Sequence, residues 1–412
     1  MVSALRRFQV LLPACGLAFA ISCSSEDPPG TGPGNAGMGG ISGASGASGS
    51  NGGSSQAGRG GTSSSSNGGS SGNGANGGGE SGGSSNGGIA GDGGTSGSGG
   101  SAARLDIYWV DVEGGAATII KTPDGKVLLT DTGNPGGRDS ARILSVLEEQ
   151  VGAEQLDHVI ITHYHSDHVG GAAEVAAGID VLEFIDHGES VEDGADDGYP
   201  ELALDRRRTV VPGDTLDLGE VTLTIVQSHG EGIASPLGPD TPNALCAEAD
   251  ARTKEADENG MSVGYLLKFG EFEFLDLGDL TWGYEHELAC PINKLGEIDL
   301  LQVPHHGFES SSPPQLVQAL NPLAAVASNG ANKGNEPSTY ERLMGAPDLE
   351  AVWVVHRSQG NDDDHNPPES RIANAVSGAA DEAHFIRASV LPSGEFSILN
   401  SRNGHEETYQ AR

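Results

Sequence analysis

The sequence predicts an α/β domain over residues 103–412, built as two mixed sheets with helices outside them. Two observations carry this. Apolar runs of strand length recur along the segment and alternate with stretches of helical periodicity. The roughly 310 residues involved are also enough to bury one large core.

The elements follow in order. "LDIYWVDV", "AATIIKT" and "KVLLTDTG" read as three short strands separated by Gly-containing turns. "DSARILSVLEEQVG" then places Ile143, Leu144, Leu147 and Val151 at helical spacing, with Asp139 as its expected N-cap. "DHVIITHYHSDHVGGAAEVAAG" reads as a buried strand, a polar turn and a helix of small residues. "VTLTIVQ", "SVGYLLKFG" and "EFEFLDLGD" resume the strand series, and "EIDLLQVPHHG" is a strand running into a second polar turn. "SPPQLVQALN" closes the set as a helix expected to be capped by Ser312, with Pro313 at its first position.

What precedes residue 103 has a different character. Residues 1–22 begin with Arg6 and Arg7 and continue as an apolar stretch too short to span a bilayer, as an export signal does. Ala20, Ile21 and Ser22 ahead of Cys23 resemble a lipoprotein cleavage site, with Leu12-Pro13-Ala14-Cys15 as a weaker competitor. Cleavage would leave a lipid on Cys23 and place the protein in a bacterial cell envelope. Residues 23–102 are dominated by Gly, Ser and Asn, a composition that cannot offset the entropy of ordering. As a random coil, such a tether reaches on the order of 50 Å.

Charge narrows the function classes. The chain carries 58 Asp+Glu against 22 Lys+Arg, a net charge of −36. A groove that neutralises nucleic-acid phosphates needs the opposite balance, so a nucleic-acid partner is disfavoured. Cys246 and Cys290 are the two cysteines outside the signal region. In an exported setting they are expected to pair, a link contributing about 3 to 4 kcal/mol.

The chemistry concentrates in "ITHYHSDHVGG". On an extended segment residues i and i+2 point the same way, so His163 and His165 can grip one cation. Asp167 and His168 lie a partial turn further and can face a second. Imidazole and carboxylate suit zinc, manganese or iron better than calcium. No P-loop occurs.

His-Xaa-His-Xaa-Asp-His after an apolar strand resembles the signature of the metallo-β-lactamase fold hydrolases. "LLTDTG" with Asp131, "FLDLGDL" with Asp279 and "LLQVPHHGFESS" with His305-His306-Gly307 match in the same order. The pairing of "DVEGGAATIIKTPDGKVLLTDTG" with "NGMSVGYLLKFGEFEFLDLGD" and the HHG turn is similar to the hydrolase domain of the competence protein ComEC and its secreted stand-alone relatives. The resemblance covers about residues 105–400 and implies an αββα sandwich with two divalent metal ions, zinc before manganese.

It also implies roles. His163 and His165 would hold the first metal and Asp167 and His168 the second, with Asp279 bridging. Asp131 would orient the histidine turn, and His306 rather than His305 would supply a further ligand or substrate contact. His229, in "IVQSHG", stands where the fold provides a third histidine for the first metal. ComEC-type relatives often show His-Pro where this chain has Glu336-Pro337, so Glu336, His356 or His365 could substitute there. His158, His187, His286, His384 and His405 are expected to be structural or exposed.

The function implied is hydrolysis of a phosphodiester or related ester by water activated at the metals as hydroxide. Hydrolysis of a lactone or lactam is the alternative, and a noncatalytic binding protein on the same fold is a third reading.

Overall fold

The computed structural model describes residues 103–195, 198–378 and 381–412. The expected signal, the lipid site at Cys23 and the tether lie outside the described residues. Among the described residues no helix is long and apolar enough to cross a membrane.

Two large mixed sheets form the centre. The first runs, edge to edge, through Glu406–Gln410, Glu395–Asn400, Ile386–Val390, Leu105–Trp109, Thr118–Lys121, Val127–Thr130, Gln155–Ile160, Asp180–Asp186 and Arg207–Thr209. The second runs through Ile372–Asn374, Ala351–His356, Ala324–Ala327, Leu300–Gln302, Phe272–Asp276, Gly264–Phe269, Val221–Ser228 and Thr215–Leu218.

Strand side chains alternate between two cores, as a period of two requires. Leu105, Ile107 and Trp109 join Ile120, Leu128, Phe274 and Trp353 between the sheets. Tyr108, Ile119 and Leu129 face the other way, with Ile143 and Leu147 of the helical segment that follows. On the far side of the second sheet, Leu275, Leu301 and Val354 meet Leu288, Leu316 and Leu343 from the helices Trp282–Ala289, Pro314–Leu320 and Pro337–Leu343. The outcome is the expected αββα sandwich. Strands covered on both faces read as continuous apolar runs because neither face meets water.

Two local expectations are corrected. The first helix is Arg138–Val146, and its N-cap is Gly137 at φ 83° rather than Asp139. Asp139 sits inside the first turn, where its carboxylate accepts from the Asn134 backbone N–H at 2.7 Å. It serves the preceding loop instead of the helix end. Likewise the helix Pro314–Leu320 is preceded by Pro313, with no side-chain cap. Ser312 stands at φ 57° and gives its backbone N–H to Glu285 at 2.7 Å. Pro313 takes the N-cap position, which leaves Ser312 one residue ahead of the helix end.

Cys246 and Cys290 form the disulfide, with Cα atoms 5.6 Å apart across 44 residues. It ties the irregular segment before Glu258–Met261 to the end of the helix Trp282–Ala289.

Placement of the site follows from strand direction. Val127–Thr130, Gln155–Ile160 and Asp180–Asp186 are parallel in the first sheet, as are Phe272–Asp276, Leu300–Gln302, Ala324–Ala327 and Ala351–His356 in the second. The carboxyl ends of such strands are where side chains on the following turns can converge.

Candidate metal centre

Four turns at those strand ends build the site. Asp131 follows Val127–Thr130, the histidine turn follows Gln155–Ile160, Asp279 follows Phe272–Asp276, and His305-His306 follow Leu300–Gln302. Asp131, His305 and His306 hold left-handed backbone at φ 60°, 52° and 54°. Non-glycine residues there cost of order 1–3 kcal/mol each and persist where the surroundings over-determine them. Here the Asp131 N–H donates to Ile160 at 2.8 Å and the His305 N–H to Gly278 at 3.0 Å.

Each ring is oriented by what holds its other nitrogen. His168 Nδ1 lies 2.7 Å from Asp131 Oδ2, and the same carboxylate takes the Thr162 N–H and hydroxyl, each at 2.8 Å. His306 Nδ1 lies 2.9 Å from the Ser328 carbonyl, so it is the protonated nitrogen. Both histidines therefore turn an Nε2 lone pair inward, and those two atoms face each other at 3.2 Å. Asp279 Oδ2 lies 3.1 Å from both, and Asp167 Oδ2 lies 3.2 Å from His306 Nε2 and 3.4 Å from His168 Nε2. All four residues offer donor atoms within 4.8 Å of one another.

Facing lone pairs beside two carboxylates are unfavourable unless something positive lies between them. Burial alone would lower the imidazole pKa of His168, yet Asp279, Asp131 and Asp167 raise it well above its ordinary value. Burial opposes ionisation of Asp279 too, but His168, His306 and His305 hold it well below the usual carboxylate range. The centre is built to hold positive charge, and its two imidazoles and two carboxylates fit a divalent transition-metal ion.

A second pair of donors adjoins it. His163 Nε2 and His165 Nδ1 are 3.0 Å apart, and His163 Nε2 is 4.0 Å from Asp279 Oδ2. Asp279 thus lies between the two sets. On the far side of the His165 ring, Glu192 Oε2 stands 3.7 Å from Nε2. Glu192 is braced in turn, since its Oε1 accepts the Glu258 N–H at 3.1 Å.

Glu258 is itself buried, taking Ser190 and the Val191 N–H at 2.7 Å, His187 at 3.1 Å and the Tyr164 N–H at 3.2 Å. Burial opposes its ionisation, but His187, Ser190 and the Val191 amide hold the carboxyl down to about 2. This carboxylate stitches the histidine turn to the loop carrying Glu192. Neither glutamate carries a local sequence signal.

His229 does not enter the four-residue group. It is exposed at φ 49°, with its ring stacked on His187 at a centroid distance of 5.8 Å. The candidates for the missing His-Pro are also elsewhere. His356 is buried and meets Asp111 Oδ1 at 2.6 Å, while Asp111 Oδ2 takes Arg142 at 2.8 Å. That network clasps one sheet to the other. His365 pairs with Asp362 and Glu341. Glu336 accepts the Glu309 N–H at 2.6 Å and braces the segment after the HHG turn. His305 is held 3.0 Å from Ser310 Oγ and stays 3.7 Å from Asp279 Oδ2, behind His306.

Lys333 is the other residue that motif spacing does not single out, and its ammonium pairs with Asp167 Oδ2. His165, Asp167 and Lys333 are partly exposed, whereas His163, His168 and His306 are buried. The open side of the centre is therefore the side of those three.

The family model for the metallo-β-lactamase superfamily matches residues 110–240. Over 279 residues the chain is 27% identical to a UPF0173 metal-dependent hydrolase of Cupriavidus metallidurans, covering 62% of this chain and 84% of that one. It is 26% identical over 184 residues to ComE operon protein 3 of Bacillus subtilis, covering 44% of this chain and 21% of that protein. Against Recombination protein 2 of Haemophilus influenzae it is 26% identical over 228 residues, covering 54% of this chain and 24% of that protein. The chain thus spans only about a quarter or less of these last two relatives.

Proposed function

We propose that the chain is a metal-dependent hydrolase of the metallo-β-lactamase superfamily, whose family model matches residues 110–240, and that it hydrolyses a phosphodiester or related ester at two divalent ions, zinc before manganese. The observation that carries this reading is the convergence of Asp167, His168, Asp279 and His306 on one point. These four would hold one ion, with Asp279 shared towards His163 and His165, which would hold the other. When bound, such ions lower the pKa of water towards neutrality and polarise the scissile group.

The chain's own residues do the positioning. Asp131 fixes the His168 ring, the Ser328 carbonyl fixes His306, and the buried floor of His163, His168 and His306 keeps bulk water from that side. Substrate would enter past His165 and Asp167. Water adds to phosphorus as the P–O bond to the leaving alcohol breaks, giving a phosphomonoester and an alcohol. The HHG turn and the motif order shared with ComEC-type domains support a phosphodiester over a lactone or lactam. His229 remains a proposed third donor for the first ion if its loop turns inward.

The test is hydrolysis of bis(p-nitrophenyl) phosphate by the purified full-length chain loaded with zinc or manganese. Turnover is expected, and it should vanish in Asp167→Ala. No turnover from metal-loaded protein would sink the phosphodiester reading and move the assignment to lactone or lactam rings.

Export and tethering belong to the same proposal and rest on the sequence of residues 1–23, with small residues ahead of Cys23. The hydrolase would stand away from a bacterial envelope membrane on its Gly/Ser tether. Cys23→Ala should move the protein from the membrane fraction to the soluble fraction. A Cys23→Ala chain that still pellets with membranes would overturn the lipid anchor.

A further inference from the structure

Lys333 places a cation at the open side of the metal centre. Its ammonium pairs with Asp167 Oδ2, the same oxygen that stands 3.2 Å from His306 Nε2 and 3.4 Å from His168 Nε2. Among the described residues, no other Lys or Arg forms an ion pair with Asp167, His168, Asp279 or His306.

Its backbone is fixed. Gly330 donates its N–H to the Lys333 carbonyl at 2.8 Å, closing a tight turn. The next residue, Gly334, has φ +77°, and a Cβ there would lie 2.2 Å from the His306 carbonyl oxygen. Asn335 donates its N–H to that carbonyl at 2.8 Å. Lys333 is thus mounted directly on the HHG turn, with a flexible four-carbon stem and a side chain 35% exposed.

A metal ion held by Asp167, His168 and His306 would claim the oxygen that the ammonium now takes. The ion and the ammonium would then compete for that oxygen and repel each other across it. An ammonium displaced in this way gains by meeting a further anion, and its stem, anchored beside the HHG turn and partly exposed, leaves it at the open side of the site.

Resting on the proposed hydrolytic reading, we propose that Lys333 binds an anionic oxygen of the substrate beside the metal centre, which makes the substrate class a negatively charged ester such as a phosphodiester rather than a neutral ring. A nonbridging phosphate oxygen is the matching partner, since it accepts a charge-assisted hydrogen bond while the neighbouring ester oxygen faces the metals.

The experiment uses full-length metal-loaded protein, with inorganic phosphate as the probe. Calorimetric binding of phosphate should weaken about ten- to a hundredfold in Lys333→Met. Lys333→Arg should keep most of the affinity, and metal stoichiometry should be the same in all three proteins. Turnover of bis(p-nitrophenyl) phosphate should fall at least tenfold more than turnover of neutral p-nitrophenyl acetate, through KM.

Unchanged phosphate affinity in Lys333→Met, or no phosphate binding by the parent protein, would overturn the proposal. Loss of metal together with loss of phosphate would also overturn it, by assigning Lys333 to the metal site itself. If the parent protein binds phosphate through Lys333 yet cleaves no diester, the hydrolytic reading fails and the anion site stands.

Discussion

Asp279→Ala should lower kcat/KM by at least about 10³-fold, roughly 4 kcal/mol of transition-state stabilisation. The size follows from where one oxygen sits. Asp279 Oδ2 is 3.1 Å from His168 Nε2 and His306 Nε2, 3.7 Å from His305 Nε2 and 4.0 Å from His163 Nε2. Among the described residues, no other carboxylate oxygen comes within 4.0 Å of nitrogens from both sets. With alanine there, two inward lone pairs at 3.2 Å lose the negative charge that draws a cation between them. Metal content measured by atomic emission should fall together with activity. A variant that keeps both full metal stoichiometry and more than a tenth of the activity would show that Asp279 does not bridge.

The second large effect is on stability. Phe274→Ala should cost about 3–5 kcal/mol in urea unfolding, the usual range for deleting a fully buried aromatic ring. Phe274 is 0% exposed in the core between the sheets, edge-on to Trp109 at 5.9 Å and to Tyr265 at 6.2 Å. Trp109 belongs to the first sheet, and Phe274 to the second-sheet strand that leads to Asp279. The pair therefore joins the two halves that must meet for the site to form. The indole N–H of Trp109 reaches across to Gln302 Oε1, just before the HHG turn, so rigid sheets limit how far this region can collapse to fill a void. A cost below about 1 kcal/mol would mean that the core repacks freely and that site geometry does not depend on it.

Much of the centre was legible because its donors come in short-range patterns. His163, His165, Asp167 and His168 lie within one turn, so spacing exposed them, whereas the roles of His305-His306 and Asp279 came from the family resemblance. The strands were legible because burial on both faces leaves unbroken apolar runs such as Leu105–Trp109 and Ala351–His356. The helix caps were not. Asp139 and Ser312 have the right chemistry in the right place, but loop contacts at Asn134 and Glu285 claim them instead. Local propensity carries no information about such competitors.

Sequence by itself thus determined which residue types could bind a metal, and that two sheets would present them at strand ends. Tertiary structure alone decided which partners orient those groups. Lys333 meets Asp167 across 166 residues, Glu258 meets Glu192 across 66, and His356 is drawn to Asp111 across 245 rather than to the metal centre. A hydrogen bond reaches about 3 Å whatever the chain distance between its ends. Which distant groups come within that reach is set by the stacking of the two sheets, and no local spacing in the chain encodes it.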